Sequence, residues 1–371
     1  MQLELESGEQ KQKDGCSISP GYLFHDFMPN IESPMRSFSR RLTMFSLGYT
    51  SASVWIAALG RHVIGPRFFT DRPRDFCPSR HLRYEQITPY YRGTWAKSIL
   101  QMMVPEFARF SLTVDGVSVS IATVQAPGDS NLTPIVCLHG FGSTKEDYYD
   151  IAHYPDLQQR PFLAYDAPGC GESNCADLSR ISIPFLVRTA EAVLDRAGVA
   201  ACHLIGHSMG GLTALYLAKR APDRVRSFVN IEGNLAPEDC FLSRQIVSHG
   251  GDHDPEEFFD RFVERTRRAP AYSNALYAAS LRHKVRAGAV PGIFTSMVQL
   301  SDEEDLMGVF LGLPFPRMFI YGELNSGLSY LPRLQENGVE LAEIPYCGHF
   351  PMYSNPPAMY GRLEEFYKHM S

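Results

Sequence analysis

Three polar residues of this chain occupy positions from which an acyl-transfer reaction could be run. Ser208 stands at the centre of Gly206-His207-Ser208-Met209-Gly210, a G-x-S-x-G pattern. The pattern follows the apolar run Cys202 to Ile205 and precedes a helical pattern, the setting that a strand-to-helix turn requires. Glycines are needed there because so sharp a turn brings backbone and neighbouring helix too close for Cβ atoms. The turn presents the serine hydroxyl above a sheet, where an adjacent base can make it a nucleophile for carbonyl carbon. His349 lies after the last strand-like run and before the terminal helical pattern, where a loop can fold its ring back toward Ser208. A carboxylate is the usual third partner of such a base. Glu232, spliced between apolar Ile231 and Gly233 at the end of another run, is placed to be buried and paired, although a helix-capping or hinge role would suit it too.

The elements that must position these side chains can be read along the chain. Phe110 to Val114 and Val117 to Ile121 alternate around Asp115-Gly116 and predict a hairpin. Pro134 to Leu138 and Phe162 to Tyr165 are short apolar runs of the kind found in buried parallel strands. Cys202 to Ile205, Ser227 to Ile231, Met318 to Tyr321 and Val339 to Ile344 continue the series. Helical patterns over Ile183 to Ala197, stopped by Gly198, over Gly210 to Arg220, and over about Pro357 to His369 fall between and after them. Alternation of strand and helix predicts an α/β protein with a mostly parallel, doubly wound sheet. The alternation is interrupted from about Asn234 to Pro314, where Glu256 to Arg267 and Asn274 to Lys284 read as helices of an inserted cap. The catalytic domain is expected to span 106–371, with 1–105 as an N-terminal extension, helical or irregular.

From about Phe107 to Ser371 the chain resembles the α/β-hydrolase fold superfamily, in the branch that carries a serine nucleophile. Four blocks match in order: His139-Gly140-Phe141-Gly142, Asp166-Ala167-Pro168-Gly169-Cys170-Gly171-Glu172-Ser173, Gly206 to Gly211, and Gly348-His349-Phe350-Pro351. The resemblance implies Ser208 as nucleophile, His349 as base, and the backbone N–H groups of Phe141 and Met209 as the oxyanion hole. His139 and His207 fall inside motifs where the superfamily uses the backbone. The superfamily most often carries its acid shortly after strand seven, yet this chain has Asn325 there, in Gly322-Glu323-Leu324-Asn325. An asparagine can orient an imidazole but cannot stabilise the imidazolium charge. Some members take the acid from the end of strand six, which selects Glu232, with Glu323 and then Asp239 as the alternatives.

The implied mechanism is acyl transfer through an acyl-enzyme, without cofactor or metal. His249 and His253 flank Gly250-Gly251-Asp252 in the cap, but without strict ligand spacing they read as a surface loop. A serine at the elbow argues against the dehalogenase and epoxide-hydrolase branches, which need a carboxylate nucleophile. Phe258, Phe259, Phe262, Tyr272, Tyr277, Phe294 and Met297 could line an apolar acyl pocket, or serve ordinary core packing. An ester or lactone of a medium-sized apolar acid is the expected substrate. A carbon–carbon bond hydrolase or lyase, a carrier-protein thioesterase, and a receptor or scaffold on an inactive hydrolase fold are the other readings.

Composition agrees with a globular enzyme: of 371 residues 44% are hydrophobic and 20% charged. The net charge of -6 is uneven, with 13 basic and 10 acidic residues in 1–107 and the excess of acid beyond. Arg36 to Lys97 holds 11 basic and 3 acidic side chains, a solvated face or a surface for an acidic carrier or membrane. It lacks the module a nucleic-acid binder would need. Eight cysteines without a CxxC pair predict buried free thiols and a reducing, cytoplasmic setting. Gln2 to Gly15 is too polar for a secretory signal, while Leu42 to Gly60, uncharged behind Ser39-Arg40-Arg41, leaves export or membrane association through 39–61 as the alternative to a buried helix.

Overall fold

The computed structural model of the chain describes residues 105–249, 254–268, 272–368 and 370. The expectations placed on 1–104, among them the basic stretch and the uncharged segment after Arg41, lie outside the described residues, as do residues 250–253 of the expected surface loop. The hairpin forms over β1 (Glu106–Val114) and β2 (Val117–Ala126). Val114 pairs with Val117, so Asp115 and Gly116 alone make the turn, with φ of 49° and 79°. That pair of left-handed residues is the turn whose twist suits two adjacent strands.

Beyond the hairpin the chain alternates as its apolar runs predict. β3 (Ile135–Leu138), β4 (Phe162–Tyr165) and the short β5 (Asn174–Cys175) lead to α1 (Ile183–Arg196), β6 (Cys202–His207), α2 (Met209–Arg220) and β7 (Val225–Ile231). The insertion between β7 and the next strand holds α3 (Phe241–His249), α4 (Pro255–Arg267), α5 (Tyr272–Lys284), α6 (Val290–Glu303) and α7 (Leu306–Leu311). β8 (Arg317–Gly322), α8 (Leu331–Glu336), β9 (Glu340–Ile344), α9 (Pro351–Ser354) and α10 (Pro356–Tyr367) complete the fold. Among the described residues the strands make one sheet in the order β1-β2-β4-β3-β6-β7-β8-β9, with β5 added against β2. Only the pairs made by β2 are antiparallel; from β4 through β9 neighbours run parallel.

Both faces of the sheet are covered. His203 and Leu204 are successive residues of β6 and so point to opposite faces, in register with Ser227 and Phe228 of β7. The His203 ring lies 5.0 Å from Tyr367 of α10, whereas the Phe228 ring lies 5.6 Å from Phe310 of α7. α10 and α7 therefore lie on opposite sides, and every residue of β3, β4 and β6 is buried between layers. α7, though part of the insertion, covers the sheet; α5 instead reaches over the carboxyl ends of the strands. The chain leaves β3 toward β4 on one flank and returns to β6 on the other, so the crevice between the loops after β3 and β6 is the point at which such sheets bind ligands.

Candidate active site

Two loops meet at that crevice because glycine allows backbone to touch backbone. A Cβ on Gly210 would fall 2.2 Å from the carbonyl oxygen of Leu138, and one on Gly206 would fall 2.5 Å from that of Gly210. With no side chain at either position, α2 starts directly beneath the loop that follows β3. Ser208 sits at the corner with φ 51° and ψ -119°, its N–H donating to Ile231 O at 3.0 Å. The serine is half-buried, and its hydroxyl makes no hydrogen bond to another described residue.

One strand along, β7 ends in a second strained corner. Glu232 has φ 46°, and its turn is tied by Asn230, whose buried Oδ1 accepts from Gly233 N at 2.7 Å. The Glu232 carboxylate is thereby aimed back over the strand ends, where it accepts four contacts. Oε1 takes the Gly322 N–H at 2.8 Å and Asn325 Nδ2 at 2.8 Å; Oε2 takes Asn325 Nδ2 at 2.8 Å and His349 Nδ1 at 2.7 Å. Burial alone would raise the carboxyl's pKa, but the donors from His349, Asn325 and Gly322 outweigh it and hold it below its ordinary value.

His349 is brought to this carboxylate by the close approach of its loop to β8. A Cβ on Gly322 would lie 2.4 Å from the carbonyl oxygens of both Cys347 and Gly348, so the loop can lie flat there only against glycine. From the other side His207 Nε2 donates to the His349 carbonyl at 2.8 Å, and the two rings stand 4.9 Å apart. The His207 imidazole is fully buried and its pKa falls to about 3, chiefly through burial and then through nearness to His349, so it is neutral at physiological pH. The His349 side chain is 41% exposed, which leaves the far edge of its ring open toward the crevice.

The alternatives for the acid are spent elsewhere. Glu323 is exposed and accepts from Tyr346 N at 2.8 Å. Asp239 caps its own turn, accepting from Leu235 N, Ala236 N and the Tyr330 hydroxyl. Asn325, of a residue type that could orient an imidazole, contacts the carboxylate instead. The other motif histidine, His139, accepts from Ala167 N at 2.8 Å and bonds to Gly140 O, linking the loops after β3 and β4. Asp166, in the second of the four matching blocks, is likewise architectural: it takes Lys145 N and Glu172 N at 2.8 Å and pairs with the buried Lys145 ammonium at 3.0 Å.

The Phe141 N–H and the Met209 N–H both border the crevice, and neither has an acceptor among the described residues. The carbonyl of Phe141 is held by the buried Tyr277 hydroxyl of α5 at 2.8 Å. Phe141 packs its ring against Phe294 at 4.6 Å and Phe262 at 6.3 Å, while Tyr277 stacks on Phe350 at 4.5 Å. Of the apolar residues expected over the site, Phe259, Phe262, Tyr277, Phe294 and Met297 are buried; the side chains of Phe258 and Tyr272 lie outside the described set. Asn230, Gly322 and the hydroxyl of Tyr277 were not singled out by sequence. Their partners are remote in the chain, and only the asparagine two residues before Glu232 offered a local sign of a turn.

Six cysteines are described and all are free, buried except for the partly exposed Cys175. Among the described residues no helix is long and apolar enough to cross a membrane, and no group of three His, Cys, Asp or Glu is arranged to hold a metal ion.

Comparison with known proteins adds to this geometry. Residues 133–286 match the family model described as alpha/beta hydrolase fold. The chain is 27% identical over 248 residues to the pimeloyl-[acyl-carrier protein] methyl ester esterase of Aeromonas hydrophila, covering 62% of this chain and 94% of that protein. It is 42% identical over 101 residues to the dihydrolipoyllysine-residue acetyltransferase component of an acetoin cleaving system from Pseudomonas putida, a stretch that spans only 26% of that relative. Among solved structures, a mutant of the N-acyl homoserine lactonase AidH complexed with N-hexanoyl homoserine superposes with a TM-score of 0.56 at 16% identity. That match covers 71% of this chain and 97% of the lactonase, and it speaks to the fold alone.

Proposed function

Because the chain is an α/β-hydrolase-fold protein, we propose that it is a serine hydrolase that cleaves a carboxylic ester or lactone of a medium-sized apolar acid through an acyl-enzyme. The observation that carries this reading is the hydrogen bond from His349 Nδ1 to the buried Glu232 carboxylate, made beside a serine held in the strained corner between β6 and α2. Glu232 fixes the imidazole so that Nε2 is unprotonated and faces the crevice. As substrate binds, Nε2 comes within reach of Ser208 Oγ and takes its proton while Oγ attacks the carbonyl carbon. The resulting oxyanion is received by the N–H groups of Phe141 and Met209, and each such donor typically contributes about 3 kcal/mol to lowering the barrier. The imidazolium returns its proton to the leaving alkoxide. Water, deprotonated by the same nitrogen, then releases the acid.

The apolar acyl group is suggested by the cluster of Phe262 and Phe294 packed on the ring of Phe141, whose N–H is proposed for the oxyanion hole, and the ester class by the methyl ester esterase relative. The test is hydrolysis of 4-nitrophenyl esters of graded acyl length, and of N-acyl homoserine lactones, by the full chain and by Ser208→Ala. The expected result is turnover of at least one series with an optimum at intermediate acyl length, falling about 10³-fold or more in the variant. Equal turnover by the two proteins would remove Ser208 from the mechanism.

A further inference from the structure

Asn325 stands at the position where the superfamily pattern led us to expect an acid, and its amide contacts both oxygens of the Glu232 carboxylate at 2.8 Å. We propose that Asn325 is the positioning residue of the catalytic acid, seating the Glu232 carboxylate and keeping it ionised against His349. The inference rests on the Ser208, His349, Glu232 reading above. A carboxylate has to be oriented in two directions to serve an imidazole: about its own plane and along the line to Nδ1. Gly322 N–H fixes one oxygen from the backbone of β8, but this leaves Oε2 free to swing away from the ring. The Asn325 amide, lying across both oxygens, removes that freedom.

The residue type matters as much as the contact. An aspartate in place of Asn325 would set a second carboxylate at hydrogen-bond distance from the buried Glu232. Two carboxylates so placed hold a shared proton to a higher pH than either would alone, because the like charges raise the second pKa. A chain that takes its acid from β7 is therefore better served at 325 by a neutral donor than by a second acid. The other titratable groups facing Glu232 are His207 from β6, Tyr330 from the start of α8 and Cys347 from the His349 loop. Burial keeps His207 neutral, pushes Tyr330 up, and pushes Cys347 up to about 12 with help from the Glu232 charge. None of these three changes charge between pH 5 and 9, so none of them moves the acid limb of activity.

The experiment is the pH dependence of kcat/KM between pH 4.5 and 9 on the best 4-nitrophenyl ester, for wild type, Asn325→Asp, Asn325→Ala and Glu232→Gln, with melting temperatures measured alongside. In Asn325→Asp the acid limb should move up by about one pH unit or more, since the carboxylate pair binds an extra proton. In Asn325→Ala the limb should move up by less, and kcat should fall about tenfold with KM little changed. The alanine variant reads the same limb if the aspartate protein folds poorly. Profiles of both Asn325 variants that superimpose on wild type would overturn the inference while Glu232→Gln remains inactive. Full turnover by Glu232→Gln would instead overturn the triad reading and this inference with it.

Discussion

Ser208 and Glu232 share a positive φ that non-glycine residues rarely adopt, 51° and 46° at the ends of neighbouring strands. Such corners cost about 1–3 kcal/mol each and persist only where the surroundings over-determine them. Here they are tied by the bond from Ser208 N to Ile231 O and by Asn230 Oδ1 on Gly233 N. The strain is the means by which two side chains leave the sheet plane and face the same crevice. Replacing Asn230 by alanine leaves a buried N–H without its acceptor and should lower stability by about 1–3 kcal/mol, with activity falling alongside; a denaturation midpoint equal to wild type would show that the corner holds itself. Glu232→Gln keeps the shape but removes the charge opposite the imidazolium. It should lower kcat about 10³- to 10⁴-fold with KM little altered, and steady-state kinetics will show whether it does. Ser208 and Glu232, just past the ends of apolar runs, and His349, in the loop after the last run, were legible as candidates. The contacts of Asn230 and Asn325 were not, because hydrogen-bond direction is set by loops that meet only after folding.

At the scale of elements, the loop after β3 is held from below by α2 and from above by α5. The lower contact is backbone on backbone, so Gly210→Ala would drive a Cβ into the Leu138 and His139 carbonyls and cannot be relieved by rotating a side chain. That substitution should abolish activity and destabilise the fold by several kcal/mol, on the order expected for overpacking plus backbone strain; a thermal melt reads it directly. The upper contact joins apolar packing of Leu281 and Tyr277 over Gly142 to one hydrogen bond, from the Tyr277 hydroxyl. Tyr277→Phe keeps the stack on Phe350 but frees the Phe141 carbonyl, and with it the neighbouring peptide whose N–H is assigned to the oxyanion. A fall in kcat of about tenfold at near-constant KM and melting temperature is the expected outcome. Unchanged kcat would mean that the loop is held well enough without the cap. The order of strands and helices was plain from alternation, and the observed bounds differ mainly by extending the runs, as with β2 to Ala126. What periodicity could not show was that the insertion is divided, with α7 on the sheet and α5 over the site. Apolar spacing on a helix is the same whether its face meets a sheet or a crevice.

For the molecule as a whole, two buried histidines of β6 link stability to pH. His207 and His203 have pKa values lowered to about 3 and about 4, in both cases mainly by burial, while in the unfolded chain they titrate near the ordinary imidazole value. The unfolded state thus binds more protons, and stability present above about pH 6.5 is lost as pH falls toward the folded-state values. Glu232, also depressed, adds a loss of the same sign below about pH 4.3. Urea midpoints should decline steadily from pH 7 to pH 4.5, and His203→Gln should make the slope shallower; a flat profile would mean that the rings protonate in place. The most direct test of the account is labelling by a fluorophosphonate at pH 7.5, with the adduct mapped by mass spectrometry and rates compared between wild type and Glu232→Gln. A single adduct on Ser208 that forms about 10³-fold or more slowly in the variant is the expected result. An adduct elsewhere, or equal rates in the two proteins, would contradict it.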